Sequence, residues 1–302
     1  MTGSILITSE TTSGFIDEGN MFCVSPPRAM SVYCSLFEDY IMSTVRHAGM
    51  EVYIECGLSE VLHSPHRRLG PPDTCVAFSL DGRQGIINYT DGPVEGINFF
   101  RTCNVPVFSI TAGSDSEFHN FPPCSFYNWS ACYDSGHQWS LSNTVAHRQT
   151  IRDNPAIHPP HSMGCQRLRR HALEIIQACG LSTQTDLLRP WDFLRLGQKC
   201  LVSVHVQGTY EQSLDRAQWQ QMAFGVPTVS PRIACSPCGV PLIPGVHYIE
   251  VNPDLSDLAG VLHWCDANRD DVITVGANAR TFFRDNGTPH AILDYMKGKL
   301  GL

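Results

Sequence analysis

An α/β fold built as two layered units is what this 302-residue sequence predicts, and three observations carry the expectation. Short apolar runs suited to buried strands alternate with stretches of helical period. The chain opens in the order strand, helix, strand. After a proline-rich break the same rhythm begins again. A chain of this length also favours two domains over one.

The elements follow in order. Ser4 to Ser9 reads as a buried strand. Beyond the Pro26-Pro27 break, a helix is expected from about Ser31 to Ala48, with Val32, Leu36, Tyr40 and Ile41 as its buried stripe and Gly49 as its stop. Met50 to Glu55 is the next strand, which makes a parallel crossover unit. Cys75 to Phe78 and Ile86 to Tyr89 read as short strands, Val94 to Cys103 as a helix and Val105 to Ile110 as a strand. From Ala112 to about Ser140 the period is lost, with one strand expected near Phe126. Asn143 to Asp153 reads as helical, and Asn154 to His161, with three prolines, cannot continue a helix. The domain boundary is placed in that tract, giving residues 1–157 and 158–302. Past it, helices are expected over Arg167 to Cys179, Trp191 to Gly197 and Ser213 to Phe224, the first stopped by Gly180 and the last by Gly225. Strands are expected over Lys199 to Val206, Val226 to Ser230 and His247 to Val251. A helix capped by Asp254 or Ser256 then runs to Trp264, followed by helices near Asp271 to Asp285 and Pro289 to Lys297.

Composition narrows the function. With 42% hydrophobic and 17% charged residues the chain can bury a core. A net charge of -8 argues against a general nucleic-acid ligand, because a phosphate backbone asks for a basic surface. No run approaches the roughly 18 apolar residues of a membrane span, and Met1 to Glu10 lacks a basic segment followed by an apolar block. The expectation is a soluble, unsecreted, cytoplasmic protein. Its 13 cysteines are odd in number and lack a scaffold rhythm, so reduced, mostly buried thiols are expected. The sequons at Asn88, Asn128 and Asn286 are then read as chance. Cys235-Ser-Pro-Cys238 and the group His158, His161 and Cys165 lack the second pair of a zinc site, so no metal is expected.

In an open parallel sheet, ligands bind beyond the carboxyl ends of the strands, where helix amino termini present unpaired N–H groups to anions. That directs attention to the loops after Val206 and Ser230. The first carries Gly208-Thr-Tyr-Glu-Gln-Ser-Leu-Asp-Arg216 directly before a helix. It offers close backbone approach, hydroxyls at Thr209, Tyr210 and Ser213, and one guanidinium able to grip a diphosphate bidentately. The plainer reading makes Arg216 an exposed first-turn residue paired with Glu211 or Asp215.

From Arg169 to Met296 the chain resembles the donor-binding half of glycosyltransferases of the two-Rossmann GT-B architecture, and is similar to the group of protein O-glucosyltransferases and exostosin-like enzymes. The residues that carry the likeness are Lys199 to Val204, Gly208, Asp215-Arg216 with Trp219 three residues on, and Met222 to Val229. Gly245 to Glu250, Asp254 to Leu258 and Gly276-Ala-Asn-Ala-Arg280 complete them. The resemblance implies two Rossmann-like domains facing across a cleft, the last helix packed back on the amino-terminal one. It also implies transfer of a hexose from a nucleotide diphosphate sugar, with Arg216 as diphosphate ligand. The donor is a substrate, no further cofactor is implied, and the acceptor is a glycan, a protein or a small molecule.

Relatives often carry a carboxylate four residues after the arginine, suited to a ribose diol, and this chain has Gln220 there. Glu211 and Glu250 are alternative hydroxyl partners; His247 and Tyr248, at a strand start, are further donor-side candidates, Tyr248 also reading as core. An acceptor-side base is sought in His137 or Asp17, with Glu18, Asp115 and Asp134 as others, and Gly14 and Gly19 make their loop permissive. No Asp-x-Asp element appears, which agrees with a metal-independent enzyme. Two other readings share the architecture: a nucleotide-sugar epimerase or phosphorylase, and a non-catalytic sugar-binding or scaffold protein.

Overall fold

The computed structural model describes residues 4–9, 51–56, 75–80, 83–88, 106–109, 119–120, 140–147, 162–183, 190–207, 214, 216–234, 236–287 and 289–302. The chain divides into two compact units, one of Met1–Tyr127, Pro237–Gly239 and Asn286–Leu302, the other of Asn128–Ser236 and Val240–Asp285.

The first unit holds a six-stranded sheet made of β1 (Ser4–Ser9), β2 (Glu51–Cys56), β3 (Cys75–Leu80), β4 (Arg83–Asn88), β5 (Val107–Ser109) and β6 (His119–Asn120). Their order is β2-β1-β3-β4-β5-β6. β1 and β2 are parallel, as the opening strand–helix–strand pattern predicts, with Ser4 opposite Glu51 and Ser9 opposite Cys56. The helices expected at 31–48 and 94–103 and the strand near Phe126 lie outside the described residues.

β3 breaks the parallel pattern, running antiparallel to both β1 and β4. The cause is local. Leu80 pairs with Arg83, so only Asp81-Gly82 joins the two strands. Asp-Gly is a two-residue hairpin sequence, and a parallel return needs a dozen residues or more. β5 and β6 then add in parallel.

The second unit is an open, wholly parallel sheet of β7 (Leu141–His147), β8 (Ser182–Thr183), β9 (Cys200–Val204), β10 (Thr228–Pro231) and β11 (Ile249–Val251). Its order is β11-β10-β9-β7-β8, so the winding reverses between β7 and β9. Helices α1 (Ser162–Ala178), α2 (Pro190–Lys199), α3 (Arg216–Ala223), α4 (Leu258–Ala267) and α5 (Arg269–Asn286) accompany it. Every residue of β9 is buried, as befits a central strand covered on both faces. Leu201, Val202, Val204 and Val206 share one buried cluster with Ala172 and Ile176 of α1 and Leu258 and Leu262 of α4. Cys200 and Ala146 belong to a second buried cluster with Phe193 of α2 and Ala217 of α3.

One expectation is overturned here. Residues 143–153 read as a helix, yet 141–147 form β7. Val145, Ala146 and His147 are buried in succession, the signature of a strand covered on both faces, while Asn143 before them is exposed and blurs the period. The other boundaries shift by little. α1 ends where expected, at Gly180, whose φ of +72° closes a Schellman turn: Leu181 N–H donates to Ile176 O at 3.3 Å and Gly180 N–H to Gln177 O at 3.0 Å. Gly225 closes α3 in the same way through Val226 and Met222. α3 begins at Arg216 rather than Ser213. α4 is headed by Asp257, not by Asp254 or Ser256, and no side chain caps it. The Asp257 carboxylate instead accepts Asn252 N–H at 2.8 Å, and Asp254 accepts Ser256 N–H at 3.0 Å.

Trp219 of α3 is fully buried, with ring centroids 4.9 Å from Phe283 and 6.1 Å from Phe282 of α5. Its indole N–H has no hydrogen-bond partner. Trp219→Ala is therefore expected to cost about 3–5 kcal/mol. Trp219→Phe keeps much of the ring contact and removes the unsatisfied donor, so it should cost less than half of that in chemical denaturation.

The last helix, α6 (Pro289–Leu300), belongs to the first unit. Tyr295 meets the fully buried Phe108 of β5 edge to face at 6.3 Å. The Cys238 thiol donates to Asn286 O at 3.2 Å just ahead of it.

Candidate functional site

The winding reverses between β7 and β9, and the carboxyl ends of the strands beside such a reversal are where an open α/β sheet takes its ligand. Four polar side chains lace that edge together. His147, the last residue of β7, is buried with Nδ1 3.0 Å from Val204 O on β9 and Nε2 2.9 Å from Arg169 O on α1. Arg169 sends Nε and Nη2 to Val206 O, at 3.4 and 3.3 Å. Gln207, buried just past β9, donates from Nε2 to Arg232 O at 2.8 Å and Pro231 O at 3.2 Å, tying β9 to β10. Gln218 fixes the first turn of α3 to β10, its Nε2 donating to Ser230 Oγ at 2.9 Å and Thr228 Oγ1 at 3.2 Å. Its Oε1 is buried without a partner.

A neutral imidazole has one N–H, so the His147 ring donates to one of its two carbonyls, and only the imidazolium donates to both. Burial nevertheless dominates and holds its pKa below the ordinary 6.5, the two carbonyls pulling the other way and the Arg169 charge adding to the depression. His247 is also held below 6.5 by burial. An unfolded histidine takes up its proton near 6.5 and these two take it up lower. The stability they contribute is present above about pH 6.5 and is lost as pH falls into that window. Each group contributes a slope of at most about 1.4 kcal/mol per pH unit. In thermal melts from pH 8 to pH 5, the gap between wild type and His147→Gln is expected to narrow toward acid; parallel curves would contradict this assignment.

The residues nominated from sequence are distributed as follows. Gly208, Thr209, Tyr210, Glu211 and Ser213, and likewise Asp17, Glu18, Asp115, Asp134 and His137, lie outside the described residues. Arg216 is the first residue of α3. Gln220 is half-buried one turn later. His247 lies in a turn before β11, its Nδ1 accepting Ile243 N–H at 3.0 Å and its ring tilted on Phe282 at 4.7 Å. Tyr248 is fully buried; its hydroxyl accepts Ile233 N–H and donates to Glu250 Oε2, both at 3.1 Å, and burial pushes its pKa up to about 12. Glu250 is exposed on β11, paired in register with Ser230 of β10. His247, Tyr248 and Glu250 are thus gathered around one edge strand.

No protein-family model matches the chain. Over 59 residues it is 41% identical to uncharacterized protein 035R of Invertebrate iridescent virus 3, a stretch amounting to 20% of this chain and 5% of that protein. Among solved structures it is similar to Anabaena Alr3699/HepE in complex with UDP and glucose, at 14% identity and a TM-score of 0.38, over 53% of this chain and 48% of that one. The chain therefore spans about half of the Anabaena protein and a small fraction of the viral one, and neither likeness assigns a family.

Cys200, Cys238 and Cys265 are buried free thiols pushed up to about 12 by burial, which leaves them protonated and poorly nucleophilic. No group of three or more metal-ligating side chains occurs among the described residues, and no helix among them is long and apolar enough to cross a membrane. Sequence reasoning did not single out His147, Gln207 or Gln218. The available signal was a polar residue closing an apolar strand, His147 after Val145-Ala146 and Gln207 after Val206.

Proposed function

We propose that the chain is a glycosyltransferase that moves a hexose from a nucleotide diphosphate sugar to an acceptor, with the donor diphosphate held at the start of α3. The observation that carries this reading is the position of Arg216. It is the first residue of the helix that follows the carboxyl end of the central strand in an all-parallel sheet. Unpaired N–H groups and the helix dipole favour an anion there. A guanidinium at that point adds a bidentate partner for phosphate oxygens.

When the glycosidic bond to the donor phosphate breaks, negative charge grows on the leaving diphosphate. The Arg216 charge and the helix N–H groups stabilise it without a divalent ion. The permissive Gly208 and the hydroxyls of Thr209, Tyr210 and Ser213 complete the phosphate loop, while Gln220 and Glu250 are the hydroxyl partners on the donor side. His137 or Asp17 serves as the acceptor-side base. The sequence resemblance over Arg169 to Met296 supports the same assignment.

The test is product analysis. Wild-type protein is incubated with nucleotide sugars of several bases and a mixed acceptor panel, in the presence of chelator, and release of nucleoside diphosphate is followed with the fate of the sugar. Sugar recovered on an acceptor supports transfer. Recovery as an isomer or a sugar phosphate would replace transfer with epimerase or phosphorolytic chemistry, and loss of activity to chelator would remove metal independence.

A further inference from the structure

We propose that Glu250, Tyr248 and Arg232 form a binding site at the carboxyl ends of β10 and β11. Its ligand is a vicinal diol with an anionic group beside it, a chemistry shared by sugar phosphates and by the ribose of a nucleotide. The inference rests on the reading of Glu250 as a hydroxyl partner and uses neither Arg216 nor the 208–215 loop.

β10 and β11 run parallel, with Ser230 opposite Glu250 and Pro231 opposite Val251, so Glu250 lies one residue from the end of its strand. Ligands of an open parallel sheet gather at that end. Arg232 directly follows β10 on the same side of the sheet's carboxyl edge.

Tyr248 is the positioning residue. It is fully buried, and its hydroxyl accepts Ile233 N–H and donates to Glu250 Oε2, both at 3.1 Å. Burial is the main cause that pushes its pKa up to about 12, with the Glu250 charge adding to it, so the hydroxyl keeps its proton for the carboxylate at neutral pH. Glu250 itself is exposed, and its Oε1 has no hydrogen-bond partner among the described residues. A carboxylate with one oxygen tied down and the other open accepts from neighbouring hydroxyls at little further ordering cost.

Arg232 supplies the second charge. It is exposed, and its guanidinium is close enough to the Tyr248 hydroxyl to act on it electrostatically. Its backbone is held on both sides: Arg232 O accepts Gln207 Nε2 at 2.8 Å, and the N–H of the next residue is the one that Tyr248 takes. Arg232 and Glu250 are opposite in charge, yet among the described residues neither enters an ion pair. Two opposite charges held near one hydroxyl and left unpaired suit a ligand that bridges them, with O–H donors for the carboxylate and anionic oxygens for the guanidinium.

The test is calorimetric titration of the full chain with nucleoside diphosphates, their dideoxy analogues, which lack the ribose diol, the corresponding nucleosides and a hexose phosphate. Wild type is expected to bind the diol-bearing diphosphate about 10- to 100-fold more tightly than the dideoxy one. Glu250→Ala should close that gap and leave dideoxy binding unchanged. Tyr248→Phe, which keeps the ring and loses the orienting hydroxyl, should narrow the gap about three- to tenfold, an effect that a merely structural tyrosine would not confine to the diol. Arg232→Gln should weaken the diphosphate about tenfold and leave the nucleoside unchanged. Glu250 and Arg232 are exposed, so their variants decide the matter if Tyr248→Phe does not fold. Hexose phosphate bound in place of every nucleotide, and weakened by both Glu250→Ala and Arg232→Gln, would support this site and identify the sugar phosphate as its ligand. A gap preserved in Glu250→Ala, or equal binding of diol and dideoxy ligands by wild type, alongside loss of diphosphate binding in Arg216→Ala, would overturn this inference and leave the donor-site reading intact. No binding of any probe by wild type would overturn both.

Discussion

Gly276→Ala is expected to destabilise the second unit by about 3 kcal/mol or more, although alanine is the better helix former by about 1 kcal/mol. Gly276 lies within α5, and a Cβ built on it runs into the carbonyl oxygen of Gly225, with the Pro227 ring 3.1 Å away. Neither obstacle is the free end of a flexible side chain. Gly225 holds a φ of +72° in the turn that ends α3, and Pro227 leads into β10, so relief would mean moving α5 away from the sheet's connecting turn. Steric cost exceeds propensity gain, and the sign is decided by the contact. Gly260 in α4 and Gly298 in α6 supply the control, because a Cβ at either meets nothing within 4 Å. Gly260→Ala and Gly298→Ala should stabilise by about 0.5–1 kcal/mol. Equal effects of the three substitutions in denaturant melts would contradict the close packing of α5 on the Gly225 turn.

The largest functional effect is expected from Arg216→Ala. If the guanidinium neutralises charge on the leaving diphosphate, its removal should depress turnover about 100- to 1,000-fold. Stability should change little, since the residue heads α3 and the fixed points of that helix lie elsewhere, at Gln218, Trp219 and the Gly225 turn. Near-normal turnover in this variant would remove Arg216 from the mechanism, and a collapse of the thermal midpoint would make it a structural residue.

The legible and illegible parts of the fold separate on physical grounds. β9 was readable because Cys200-Leu-Val-Ser-Val204 carries a single polar residue, as a central strand covered on both faces does, while Lys199, included in the expected strand, ends α2. β7 was misread because only its carboxyl half is buried, and a short run led by Asn143 and Thr144 suits a helix as well as a strand. The β3–β4 hairpin was missed, because Cys75 to Phe78 and Ile86 to Tyr89 were taken as single strands and the Asp81-Gly82 turn signal between them was not used. Gly208 to Arg216 could be nominated because phosphate loops concentrate their chemistry in consecutive residues. The lacing of the carboxyl edge could not, because His147 joins Val204 and Arg169, 57 and 22 residues away, and no local pattern encodes such contacts.

The most direct test of the central claim, that the second sheet holds a nucleotide diphosphate at Arg216, is a ligand-dependent thermal shift. Nucleoside diphosphates and nucleotide sugars of every common base are scored on wild type and Arg216→Ala in parallel. Ligand that binds only the folded chain raises the midpoint by mass action, by about 2.7 kcal/mol of added stability at one hundred times its Kd. The account predicts a shift with one nucleotide family in wild type and its loss in Arg216→Ala. Absence of a shift with every nucleotide, or an equal shift in both proteins, would contradict it.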